Sequence, residues 1–125
     1  MGGVHGGWYG TILDSAMDAM ITIDMEGLVI EFNLAAVKMF GFARADVLGK
    51  SISELIVPQN MREDHEFSLL RYRQTGEAAD LGQRIESPAL RADGTIIPIE
   101  MAIVPFKYQG EGYFTASIRD LSKQK

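Results

Sequence analysis

Ala19-Met20-Ile21-Thr22-Ile23-Asp24-Met25-Glu26-Gly27-Leu28-Val29-Ile30-Glu31-Phe32-Asn33-Leu34-Ala35-Ala36-Val37-Lys38-Met39-Phe40-Gly41 is the stretch that decides the fold. Apolar and polar residues alternate from 19 to 24 and again from 28 to 33, as in half-buried strands, and only Met25-Glu26-Gly27 parts the two runs. So short a connection makes an antiparallel hairpin. From Leu34 the pattern becomes helical. Asn33 supplies a side-chain oxygen for the first free N–H groups, and Gly41 supplies the left-handed residue that stops the helix.

Downstream, Arg44 to Leu48, closed by Gly49, reads as a short helical piece, and Ser51 to Ile56 as another, with Ser51 as cap and Glu54 at the capping-box position. After Pro58 comes the longest helix, Asn60 to Gln74, closed by Thr75-Gly76. Met61, His65, Leu69 and Tyr72 recur at helical spacing and so share one face. Three strands complete the chain: Leu81 to Arg91, Thr95 to Phe106 and Tyr113 to Asp120, joined by turns at Ala92-Asp93-Gly94 and at 109–112. Pro88 cannot donate to a ladder, which puts the first of these at an edge or a bulge. By period two, Ile97, Ile99, Met101 and Ile103 share a face, as do Phe114, Ala116 and Ile118; these seven form the expected inner sheet surface.

Upstream, residues 1–10 hold five of the 13 glycines and read as a flexible leader or tag, leaving 11–125 as the folded domain. Thr11 to Met20 carries Ile12, Leu13, Ala16 and Met17 at helical spacing, an apolar stripe suited to pairing with a second copy.

A length of 125 residues suits one domain, and 46% apolar with 23% charged residues is ordinary for a globular one. The net charge of -5 argues against a nucleic-acid face. Without cysteine there is no disulfide, thiolate metal site or cysteine nucleophile. No apolar run reaches the roughly 20 residues of a membrane span, and no signal-peptide pattern opens the chain, so the expected location is cytoplasmic. No nucleophile elbow or His-carboxylate pairing is visible, and an enzyme is not expected.

The order strand, strand, three short helices, one longer helix, three antiparallel strands resembles a PAS domain. The pieces that carry the resemblance are residues 21–33, Met39-Phe40-Gly41-Phe42, Val47-Leu48-Gly49-Lys50, Arg91-Ala92-Asp93-Gly94-Thr95 and Ile118-Arg119-Asp120-Leu121-Ser122. The resemblance implies an α+β fold, with a five-stranded antiparallel sheet in the order 2-1-5-4-3 and helices on one face. It also implies a sensory module of a larger signalling protein, such as a sensor histidine kinase, with its output domain outside this chain. The last strand would relay the signal. The alternative is a ligand-free dimerisation module, its partner a second copy met through the N-terminal helix or the sheet face.

More narrowly, His65 to Arg73 resembles the proximal helix of haem-binding oxygen-sensor PAS domains of FixL type. That resemblance implies haem b, with His65 as the iron ligand, Arg71 at a propionate, and Tyr72, Ile99, Met101, Ile103, Phe114 and Ile118 around the pocket. Arg84 would be the residue that steadies bound oxygen, but it stands one position nearer to His65 than that subfamily's spacing. In a strand a slip of one residue turns a side chain to the other face. Beside the haem reading stands a plainer one: His65 as a half-buried histidine, Arg71 and Arg73 opposing the helix dipole, and the pocket open to an unknown small molecule or to none.

Overall fold

Asp24 closes the first hairpin with its side chain: Oδ1 accepts hydrogen bonds from the N–H groups of Glu26 and Leu28, both at 2.9 Å. Gly27 takes the left-handed conformation at φ 84°. The computed structural model describes residues 18–76 and 83–122. In them the hairpin strands are β1 (Ala19–Asp24) and β2 (Val29–Phe32), followed by helices α1 (Leu34–Phe40), α2 (Arg44–Val47), α3 (Ile52–Ile56) and α4 (Arg62–Thr75). Strands β3 (Arg84–Leu90), β4 (Ile96–Tyr108) and β5 (Glu111–Asp120) then complete an antiparallel sheet in the order β2-β1-β5-β4-β3. This is the expected α+β architecture and strand order.

Asn33 ties the first helix to the first strand. Its Oδ1 accepts from Ala36 N at 3.0 Å, the cap expected from sequence, and also from Met20 N at 2.9 Å. Gly41 ends α1 at φ 82°, donating to the Val37 carbonyl. The last strand returns to pair with the first, Ile21 opposite Ala116, in the middle of the sheet. Pro88 lies in β3, an edge strand, as its missing N–H requires.

Cross-strand partners share a face, which sorts the sheet into two sides. Ala19, Ile118, Met101 and Ile85 form one row of the inner face. Ile21, Ile97, Ile99 and Ile118 there, with Phe32, Ala36, Phe40, Val47, Ile52 and Ile56, build the core. Of the seven residues expected inside, Ile97, Ile99, Phe114 and Ile118 are buried, while Met101, Ile103 and Ala116 are half-buried.

Local details differ from the sequence reading. Ser51 precedes α3 but its side chain makes no capping bond. Its backbone is instead engaged with the hairpin, through a bridge to Leu28, while the next residue's N–H donates to the Gly27 carbonyl at 2.9 Å. The long helix begins with a 3-10 turn, Gln59–Met61, and only then becomes α-helical. Strands β4 and β5 extend to Tyr108 and Glu111, because Gln109 and Gly110, at φ 52° and 83°, form a two-residue turn whose twist matches the strands. Ala19 and Met20 lie in β1 and not in a preceding helix. The leader, the stripe Ile12, Leu13, Ala16 and Met17, and Leu81-Gly82 fall outside the described residues.

Candidate functional site

The helix α4 has no fully buried residue, yet its half-buried positions include His65, Leu69 and Tyr72, the stripe read from sequence. Two arginines hold it at its ends. Arg62 donates from Nε to the Val57 carbonyl at 3.0 Å and from Nη2 to the Glu54 carbonyl at 3.3 Å, tying its first turn to α3. Arg73 donates from Nη1 to the Met25 carbonyl at 2.7 Å, tying its last turn to the β1–β2 turn. Between them Tyr72 sets its ring edge against Phe114, with centroids 4.8 Å apart, so α4 rests directly on β5. Gly27 allows the same closeness on the hairpin side: a Cβ there would stand 3.0 Å from Leu69 Cδ2.

These supports leave a cleft of about 180 Å³ among Glu26 and Gly27 of the hairpin, Ser51, Ile52 and Ser53 at the start of α3, and His65, Glu66, Leu69 and Arg73 of α4. Two of its residues carry buried polar atoms with no hydrogen-bond partner: Ser53 Oγ and His65 Nδ1. Buried polar groups are nearly always paired, so two unpaired ones on residues of one small cleft set it apart among the described residues, where Arg91 Nε, outside the cleft, is the other such atom. Ser53 is 2% exposed. Burial holds the His65 pKa below the usual 6.5, against an upward pull from the Glu66 carboxylate, so the ring is neutral at pH 7.

A neutral imidazole is the form that ligates iron, and His65 alone suits that role. The space does not. The cleft falls below the roughly 300–1,000 Å³ of typical small-molecule sites, and α4 closes on both Phe114 and Gly27. In this arrangement the residues present do not fit a porphyrin. Among the described residues no three of His, Cys, Asp and Glu converge to hold a metal ion.

The residues implied by the haem resemblance are not brought together around His65. Arg71 is exposed on α4. Arg84 pairs with Ala102, one place off the Ile85–Met101 row, and so stands on the outer face, where its Nη1 lies 3.4 Å from Glu100 Oε1. That is the outcome of the one-residue slip, and it corrects the placement of Arg84 at a pocket. Ile99, Phe114 and Ile118 are core residues, with Met101 and Ile103 half-buried beside them. Tyr72 touches Phe114 and does not line the cleft.

Sequence reasoning passed over Ser53. No local signal singled it out: Ser53 lies between the buried Ile52 and the exposed Glu54, and a serine there suits either environment. A wider groove of about 420 Å³ along β3 and β4, lined by Pro88, Ile96 and Pro98 among others, holds no unpartnered buried polar atom.

A family model described as the PAS fold matches residues 9–121. The Sensor protein FixL of Bradyrhizobium diazoefficiens is 32% identical over 92% of this chain, which covers 23% of that protein. The Oxygen sensor protein DosP of Escherichia coli is 29% identical over 88% of this chain, covering 14% of that protein. This chain thus spans less than a quarter of the length of either relative. Among solved structures, the PAS domain of an HTR-like protein from Haloarcula marismortui superposes with a TM-score of 0.72 at 26% identity, covering 90% of this chain and 88% of that one.

Proposed function

Since the chain belongs to the PAS family, we propose that it is a non-catalytic sensory module of a larger signalling protein such as a sensor histidine kinase, set in the cytoplasm, with a small polar ligand as its input. The observation that carries this reading is the pair of unpartnered buried atoms, Ser53 Oγ and His65 Nδ1, on one cleft. Both atoms are shut off from water in this setting of α4, so a ligand pairs them only as α4 shifts, and the hydrogen bonds it then gains favour that second setting.

The output path follows from what α4 touches. Arg73 reaches the Met25 carbonyl, and the Met25 side chain lies over Gly112, where a Cβ would meet its sulfur at 2.9 Å. Gly112 is near the start of β5, and beyond that strand's end Leu121 N donates to Pro98 O at 2.9 Å. A ligand that binds one setting of α4 better than another shifts the population of that chain of contacts by its differential affinity.

The test is thermal unfolding across a library of small polar metabolites, on the native protein and on Ser53→Ala and His65→Gln. Compounds that raise the midpoint in the native protein and lose that effect in the variants support the reading. If no compound does so, the ligand-free dimerisation module takes its place.

A second reading, haem binding, draws on the neutral His65, the match of its helix to oxygen-sensor domains, and the relative named as an oxygen sensor. It requires α4 to move off Phe114. A Soret band after reconstitution with hemin, lost in His65→Ala, would establish it over the small ligand.

A further inference from the structure

The charges around the cleft narrow the class of ligand, an inference that rests on the ligand-binding reading above. Its lining residues carry two carboxylates, Glu26 and Glu66, one guanidinium, Arg73, a neutral imidazole and two serine hydroxyls. A simple carboxylate would meet Arg73 but also two like charges. A simple amine would meet the two glutamates but leave the guanidinium without a matching anion. An uncharged polar molecule would hydrogen-bond to them, as the Met25 carbonyl does to Arg73 Nη1, but would balance none of the three charges. A small molecule bearing both signs meets all of them.

We propose that the cleft takes a small free amino acid, its carboxylate bound by Arg73 and Ser53 and its ammonium by Glu26, Glu66 and His65. Arg73 has the donors for this: a guanidinium carries five N–H groups, and Nη1 reaches the Met25 carbonyl at 2.7 Å, leaving further donors for a forked bond to a carboxylate. The Ser53 hydroxyl, 2% exposed and without a partner, lies behind the cleft wall and becomes a donor for such a carboxylate when α4 shifts outward. His65 is neutral, and an unpaired ring nitrogen in its acceptor form accepts a hydrogen bond from an ammonium group. The titratable and charged groups facing His65 across the cleft are Glu26 from the hairpin and Glu66 and Arg73 from its own helix.

Size points the same way. About 180 Å³ holds a molecule of a few non-hydrogen atoms, so glycine, alanine and serine match the space more closely than aromatic or long basic amino acids. Binding also has a structural consequence, because the carboxylate draws on the same guanidinium that holds the Met25 carbonyl. The amino acid therefore competes for, or reorients, the link between α4 and the hairpin that leads to β5.

The test is an amide and imidazole NMR titration of the whole chain, at constant ionic strength and pH 7, with glycine, L-alanine and L-serine. L-lactate, which replaces the ammonium by a hydroxyl, and L-alaninamide, which removes the carboxylate, serve as paired controls. At least one of the three amino acids is expected to shift the Ser53 and His65 resonances saturably. Each control is expected to bind at least roughly tenfold more weakly, the order of a lost charge-assisted hydrogen bond. Arg73→Gln is expected to erase the preference for L-alanine over L-alaninamide, and Glu66→Gln with Glu26→Gln the preference over L-lactate. All three residues are exposed, and circular dichroism checks that the variants fold. If a control binds as tightly as the amino acids, the amino-acid class is overturned while the cleft stays a ligand site. If none of the five compounds shifts cleft resonances but library compounds do, this inference falls alone. If the library fails as well, both readings fall.

Discussion

At the residue scale the cleft turns on two atoms that nothing in the fold satisfies. Ser53 Oγ is buried beside Ile52 without a partner, a condition that costs the ligand-free protein about 1 kcal/mol or more. Ser53→Ala removes the unsatisfied group and leaves the methylene in place. Its unfolding midpoint in denaturant is therefore expected to rise in the absence of ligand, with unchanged slope, while ligand-induced stabilisation falls. His65 yields a pH signature whose sign follows from its lowered pKa. Below 6.5 the unfolded chain takes up a proton that the folded chain, with its ring partly desolvated, resists. The contribution of His65 is complete above pH 6.5 and declines as pH falls from there toward the folded-state pKa. Denaturant titrations at steps from pH 7.5 to 5.5 are expected to show that decline, and His65→Gln to flatten it. His65 itself stood out in the sequence as the one imidazole outside the leader. Ser53 did not, because a serine in an apolar run looks the same whether or not its hydroxyl finds a partner, and only the packing of α3 against α4 decides that.

At the scale of elements, α4 is a helix held more by its neighbours than by its own burial. None of its residues is fully buried, and Phe67 on its outer side is 63% exposed. What fixes it are Arg62 to α3, Tyr72 on Phe114, Arg73 to the hairpin turn, and Leu69 against Gly27. The last contact admits no side chain. Gly27 sits at φ 84°, so Gly27→Ala brings both the backbone cost of a left-handed alanine and a Cβ 3.0 Å from Leu69 Cδ2. The expected loss is about 1–2 kcal/mol by denaturant unfolding, with faster hydrogen exchange in α4 than in β5. The inward stripe of α4 was legible from helical spacing, and so were the Asn33 cap and the Gly41 stop of α1, since these are local rules obeyed locally. The Ser51 capping box was not realised. There the hairpin competes for the same segment through the Leu28–Ser51 bridge, a long-range pairing that no local rule contains.

At the scale of the whole molecule, the sheet has one face covered by helices and one that carries Val104, Phe106 and Tyr108, each more than a third exposed. Phe106 stacks on Tyr113 with centroids 5.4 Å apart, making a flat aromatic surface. We propose this outer face, alone or with the segment before β1, as the meeting surface of a homodimer. Phe106→Glu sets a charge in that surface without touching the core, and sedimentation is expected to show dimer giving way to a monomer that circular dichroism finds folded. Unchanged assembly would place any dimer contact elsewhere.

What the sequence by itself determined is the order of elements, their periodicities and hence the family, because strand alternation, helical spacing and turn glycines are written in near neighbours. It also contained the warning about Arg84, whose one-residue offset turned it to the outer face. Only the tertiary structure decided how closely α4 lies against the sheet, and so that the space beside His65 is a small polar cleft and not a slot for a macrocycle. That distance is set by side chains far apart in the chain, Leu69 on Gly27 and Tyr72 on Phe114, which meet only when the last strand returns to pair with the first.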